Sequence, residues 1–357
     1  MQEDTTARIP RMDRRKFLSV GSKSLAGALI AAPLLAACGG SKSWKSSVSK
    51  GPSKKLVLRE GSTFGSTSIM AAAERYFAKR VEELSNGDVK IEQFFNSVLG
   101  SETSIFSQLR NGTIQLQPCG SPSLGAYVPA VQTLEAPYLW PSTDVLHSAS
   151  PALVTSINKL AVPKGVRDLA TYIDGPRETC AVRPLHSLSD FKGIKLRVPE
   201  APIYIGLAKA FGANPTPTAF GNVYTALQTH LADAAEGSLD SLYAYKWYEP
   251  AKYIVLTDHI ITPVHLTVNE SYFSKLSSDV KTILQKAATD ASNADLNLVN
   301  AGNLKLRNEM TKAGATFITV DKKPFEAALQ PFGQSFAQSL GADALSVYNQ
   351  AKALASG

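Results

Sequence analysis

The sequence is poor in the apparatus of catalysis. It has no glycine-rich phosphate loop ending in Lys-Ser/Thr, no G-x-G-x-x-G, no H-E-x-x-H and no G-x-S-x-G, which removes the common nucleotide-binding, zinc-protease and serine-hydrolase patterns. The five histidines (His147, His186, His230, His259, His265) are scattered, and none stands at ligand spacing from another His or Cys. They read as surface or strand-end residues, and the sequence calls for no cofactor and no metal. With only three cysteines, a disulfide-dense scaffold is excluded. Cys119 and Cys180 form either a bridge or two buried thiols. Charge is also modest: 37 Lys/Arg against 30 Asp/Glu give +7. That excess is too small to argue for nucleic acid.

What is present begins with an address. Arg11, Arg14, Arg15 and Lys16 precede an apolar stretch from Leu25 to Ala37, too short to span a membrane, which ends at Cys38. Arg14-Arg15 followed by Lys16-Phe17-Leu18 fits a twin-arginine export signal, and Leu35-Ala36-Ala37-Cys38-Gly39 reads as a lipobox whose cysteine takes the diacylglycerol. Met12 serves equally well as the start. Residues 1–37 are thus expected to be a signal peptide; they carry six Lys/Arg and three Asp/Glu, so the remainder has a net charge of +4. Residues 38–54, almost wholly Ser, Lys, Gly and Pro, cannot bury enough apolar surface to order themselves and read as a tether from the lipid on Cys38.

The rest alternates short β-like runs with helical patterns. Strands are expected at Leu56–Arg59, Val89–Phe95, Thr113–Gln117, Val166–Ile173, Glu178–Arg183, Ile194–Val198, Leu231–Ala235, Lys252–Leu256 and Thr316–Val320, with amphipathic helices between them. Such alternation predicts βαβ units and a mainly parallel sheet. From Ser277 to Ala313 the pattern is helical with few breakers, about 50 Å at 1.5 Å per residue, which exceeds one small domain. About 300 residues follow the tether, enough for two lobes with separate cores.

Two arginines on neighbouring strands stand out. Arg177 opens one strand, and Arg197 lies inside the apolar run Ile194-Lys195-Leu196-Arg197-Val198-Pro199, where a permanent charge needs an anionic partner. The planar guanidinium suits a carboxylate, to which it donates two parallel hydrogen bonds. The residues alone leave open whether that carboxylate is a ligand's or a structural Asp or Glu.

Three blocks then carry a resemblance: Asp190–Pro199, Phe211–Pro217 (Phe-Gly-Ala-Asn-Pro-Thr-Pro) and Ala219–Thr229 (Ala-Phe-Gly-Asn-Val-Tyr-Thr-Ala-Leu-Gln-Thr), continued by Asp233, Lys246–Glu249 and Lys252-Tyr253. They resemble the solute-binding proteins of TRAP secondary transporters, over about residues 55–340. The resemblance implies an α/β, two-lobed clamshell like the type II periplasmic binding proteins, with the long helix running along both lobes. It places lobe I at 55–174 plus 263–302 and lobe II at 175–262 plus 303–357. It implies a non-enzymatic receptor that captures a small organic acid and hands it to TRAP membrane subunits, as a monomer anchored outside the cytoplasm through Cys38. Arg197 is then the carboxylate-binding residue, Arg177 a second ligand arginine, and Phe220 part of the pocket wall.

Departures from the family pattern refine the expectation. Many members have Gln-Glu-Asn-Pro where this chain has Ala235-Glu236-Gly237-Ser238, and sialate binders have a glutamate at Gly120. Both changes argue against sialate and point to space for a bulkier or more apolar acid, with Glu236, Gly237, Trp247, Tyr245 and Phe220 as neighbours. Glu60 and Glu102, at the ends of first-lobe elements, are expected to face the cleft and select hydroxyl or amino groups. An importer receptor of the ABC class would share the shape without reason to carry the Lys-x-Arg-Val-Pro and Phe-Gly-x-Val-Tyr blocks together. A ligand sensor for a signalling receptor differs only in its membrane partner.

Overall fold

The computed structural model describes residues 55–357; the signal, lipobox and tether lie outside the described residues. Ten strands form one mixed sheet: β1 (Leu56–Gly61), β2 (Val89–Phe94), β3 (Leu116–Cys119), β4 (Val166–Ala181), β5 (Lys195–Val198), β6 (Asn214–Pro217), β7 (Ala234–Ser238), β8 (Tyr253–Leu256), β9 (Ile261–Asn269) and β10 (Thr316–Thr319). The order is β2-β1-β3-β9-β4-β7-β5-β6, with β8 pairing β4 and β10. The expected parallel pairs are there, β1 with β2 and β3, β5 with β6 and β7, and β8 with β10. The mainly parallel sheet is nevertheless corrected, because β4 runs antiparallel to β7, β8 and β9, and β3 antiparallel to β9.

β4 organises everything else. The strands expected at Val166–Ile173 and Glu178–Arg183 join into this one strand of 16 residues. Val166–Pro176 pair with β9, and Arg177–Ala181 with β7. The pairing with β9 slips between Ile173 and Gly175, and Gly175 adopts φ +83°, so an extra residue is absorbed by a bulge and the proline falls just past it. The strand therefore changes partners at the point where the expected lobe boundary lies. β9, missed in the sequence, is buried at all nine positions and so lacks the polar alternation of a half-exposed strand. The helix Thr143–Ala161 was hidden by Pro151 within it; Ser142 caps it by accepting from the Val145 amide.

Each half of the sheet has its own cores. Leu58, Phe77, Leu116, Leu266 and Leu284 pack together on one half. On the other, Leu196, Leu207, Phe211 and Phe325 form one cluster, and Val223, Leu242, Trp247 and Met310 another. The long helix is Ser278–Lys312, its first turn capped by Ser277. It places Leu284, Ala287 and Ala291 in the first-half core and Leu306 and Met310 in the second, so it runs along both. At the C-terminus, Ala344, Val347 and Ala351 of the helix Ala342–Ala355 pack with Leu146, Leu153 and Val166 of the first half. Cys119 and Cys180 are both buried free thiols.

Candidate functional site

A cavity of about 70 Å³ lies where the two halves meet, with Glu102, Gly120 and Glu135 on one side, Arg197, Tyr204 and Phe220 on the other, and Asp174 and Arg177 of β4 between. The halves also touch at its mouth. The Tyr245 hydroxyl donates to the Thr63 carbonyl, Phe64 meets Phe220 edge-on at 6.2 Å, and the Asp240 carboxylate accepts from the Ile69 amide at 2.9 Å.

Arg197 sits mid-strand between β6 and β7 and is 1% exposed. Its Nε and Nη2 both donate to the Thr218 carbonyl, at 3.1 and 2.7 Å, which fixes the plane of the fork. Among the described residues Nη1 has no hydrogen-bond partner and no carboxylate pairs with this guanidinium. Burial pushes Arg197 down to about 10, so it stays charged at neutral pH. One edge is thus anchored and one is open, a geometry in which the guanidinium could take a carboxylate.

Arg177 is different. Its Nε and Nη2 donate to Glu236 Oε2 and Oε1 at 2.5 and 2.8 Å, a bidentate pair across β4 and β7, so the arginine that sequence analysis offered to a ligand is satisfied by the chain's own carboxylate. His259 adds a contact to Glu236 Oε2 at 3.4 Å and is itself held by Thr257 at 2.8 Å. Burial works to raise the Glu236 carboxyl, but Arg177 and His259 outweigh it and bring the carboxyl down to about 2. Glu236 is thus a partner for Arg177 rather than part of the cavity wall. His259 and His265, expected near the surface, are both fully buried, His265 against Asp168 at 2.6 Å. Among the described residues no group of three or more His, Cys, Asp or Glu is arranged to hold a metal.

The opposite wall is acidic. Glu102 Oε1 accepts the Gly120 amide at 3.0 Å, and Glu135 Oε1 accepts the Ser121 amide at 3.4 Å. Burial raises Glu102 and Asp174 to about 7 each and also raises Glu135. The sequence placed Glu102 here but offered no signal for Glu135 or Asp174, which lie far from the arginines along the chain.

The space expected from two missing side chains is already filled. A Cβ on Gly237 would lie 2.8 Å from Trp247 Cζ3, so that glycine admits the indole, not a ligand. Trp247 is wholly buried behind the cavity, 5.2 Å from the Phe220 ring and with the Arg197 guanidinium 5.3 Å over its face. Glu60 also leaves the site: it is fully buried between β1 and the helix Ile69–Leu84, bound by the Gln93 amide at 2.9 Å and beside Glu74.

That buried pair has a cost. Burial raises Glu60 from 4.5 to about 7, and burial with the neighbouring Glu60 charge raises Glu74 further. The folded chain keeps a proton that the unfolded chain releases near 4.5, so stability falls as pH rises from about 4.5 to 7. We expect Glu60→Gln to melt above wild type at pH 8, by up to about 3 kcal/mol, and to lose that advantage near pH 4.5. Thermal denaturation at the two pH values measures it; equal differences at both would contradict it.

Residues 61–339 match the family model described as bacterial extracellular solute-binding protein, family 7. The sialic acid-binding periplasmic protein SiaP of Vibrio cholerae is 30% identical over 295 residues, 80% of this chain and 89% of that protein. The 2,3-diketo-L-gulonate-binding periplasmic protein YiaO of Escherichia coli is 32% identical, over 76% and 84%. Among solved structures, a TRAP periplasmic solute-binding protein of Xanthobacter autotrophicus with bound β-D-galacturonate superposes with a TM-score of 0.78 at 28% identity, covering 83% of this chain and 99% of that one. Structural neighbours of this kind have the two-lobed fold expected above. The chain therefore belongs to family 7 of the bacterial extracellular solute-binding proteins, the carboxylate- and sugar-acid-binding components that deliver solutes to TRAP transporters.

Proposed function

We propose that this receptor binds a monoanionic hydroxy acid of the uronate or aldonate class, its carboxylate docking end-on at Arg197. The observation that carries the reading is a charge count: two buried guanidiniums face the cleft, one is neutralised by Glu236, and only Arg197 keeps an open edge. A second ligand carboxylate would find no second open guanidinium there, only the carboxyl groups of Glu102, Glu135 and Asp174. The same acceptors suit hydroxyl donors, which replaces the expectation of a more apolar ligand. The galacturonate bound by the similar Xanthobacter protein has this chemistry.

The two halves act as lobes I and II with the boundary at Gly175, and ligand binding favours the closed arrangement by joining Arg197 to the acidic wall. The protein performs no reaction, works as a monomer, and is held at the membrane by a lipid on Cys38 after twin-arginine export. Among the described residues no helix is long and apolar enough to cross a membrane. Mass spectrometry of the mature N-terminus tests the anchor: an unmodified Cys38, or one absent from the mature chain, would exclude it.

Titration calorimetry against D-galacturonate, L-galactonate, succinate and sialate tests the ligand class. The two sugar acids are expected to bind at least tenfold tighter than the others. Tighter binding of succinate would overturn the charge argument.

A further inference from the structure

Glu135 is not explained by the fold or by the arginine site. It lies at the end of the 3₁₀ segment Pro129–Glu135, 1% exposed, and lines the cavity. Among the described residues, one oxygen accepts the Ser121 amide and the other, Oε2, accepts no well-formed hydrogen bond, although the Ser121 and Tyr204 hydroxyls stand close enough to act on the carboxyl. A buried carboxylate oxygen short of well-formed hydrogen bonds is costly, and on a cavity wall it is open to a donor that enters the cavity.

Gly120 explains how the carboxylate comes to be there. An added Cβ would stand 3.2 Å from Glu135 Oε1, so a side chain at 120 would press on the Glu135 carboxyl and displace it by a few tenths of an ångström. The backbone from Gly120 to Ser121 is held between two carboxyls, Glu102 on one amide and Glu135 on the next. Residue 135 thus supplies an acid from a different element at the place that an unsubstituted residue 120 leaves vacant.

Resting on the sugar-acid reading, we infer that Glu135 is a specificity-determining residue that accepts a ligand hydroxyl at its free oxygen and so selects hydroxylated acids over acids of the same shape without hydroxyls. A carboxyl oxygen that carries no proton only accepts, so it rewards an O–H donor and leaves an apolar group facing an unpaired acceptor. Sites built to bond a ligand hydroxyl reject analogues that lack it far more strongly than apolar pockets reject an extra one. The Arg197 end would then fix where the acid sits, and the Glu135 end would decide which acid stays.

The test compares D-galacturonate with cyclohexanecarboxylate, a ring acid without hydroxyls, by calorimetric competition on the full chain. Glu135→Leu, which removes the acceptor, is expected to weaken galacturonate about a hundredfold while changing cyclohexanecarboxylate less than threefold. Glu135→Gln keeps an acceptor of the same shape and should recover at least tenfold of that loss. Gly120→Ala, pressing on Oε1, should also narrow the preference between the two acids, and it serves if the leucine variant does not fold. Equal losses for both acids, or galacturonate binding within twofold of wild type in both Glu135 variants, would overturn the inference. If wild type binds galacturonate and the variants do not discriminate, only the role of Glu135 fails. If wild type binds no sugar acid at all, the ligand class fails and this inference with it.

Discussion

Arg197→Lys is expected to abolish measurable capture of the cognate acid while leaving the melting temperature of the unliganded protein close to wild type. Lysine keeps the positive charge but brings three rotatable donors in place of a planar fork, so it cannot hold the Thr218 carbonyl and a carboxylate in one plane. Breaking a desolvated charge pair costs on the order of 3 to 5 kcal/mol, roughly two to nearly four powers of ten in affinity. Arg197→Ala should lose at least as much, because the ligand carboxylate would be desolvated with no partner. In the free protein the loss is small, since among the described residues the guanidinium pairs with no side-chain carboxylate, and burial, with the nearby Arg177 charge, already lowers it to about 10. Calorimetry for binding and thermal melts for folding separate the two effects. Wild-type affinity in either variant would remove the arginine from the site.

The opposite pattern is expected at Glu236. Removing this carboxylate strands Arg177, which is 5% exposed and has no other anionic hydrogen-bond partner, so Glu236→Gln should destabilise the fold by about 3 to 5 kcal/mol. Its pH dependence has a definite sign. Glu236 titrates at about 2 in the folded chain against 4.5 unfolded, so its contribution is fully present above about pH 4.5 and disappears as pH falls toward 2. That shift corresponds to about 3 kcal/mol, and in the variant this part of the acid limb should flatten. The variant should also bind differently, because Arg177 becomes a second uncompensated cation at the cleft and a dicarboxylate gains relative to a monocarboxylate. Chemical denaturation at pH 7 and pH 3, with succinate and galacturonate titrations on the folded fraction, measures both. A wild-type denaturation midpoint at pH 7 would mean that the pair contributes nothing.

These two residues mark the limits of what the chain discloses in one dimension. Both arginines were visible as charges in strands, and the motif around Arg197 identified a carboxylate receptor. Nothing in their spacing showed that one already has a partner, because Glu236 lies 59 residues from Arg177 and meets it only through the β4–β7 register. Similarly, Gly237 and Gly120 look alike as losses of a side chain, yet one vacancy holds Trp247 and the other is bordered by Glu135.

The sequence by itself determined the family, the absence of catalytic motifs, the long helix and most strands, since each rests on local pattern: hydrophobic period, caps, or a short contiguous block. The tertiary structure alone decided the antiparallel centre of the sheet, the burial of Glu60 and the two histidines, and the acidic wall formed by Glu102, Glu135 and Asp174. Those depend on which distant segments share a low-dielectric space, and charge pairing, desolvation and room for a side chain are properties of that space rather than of any stretch of chain.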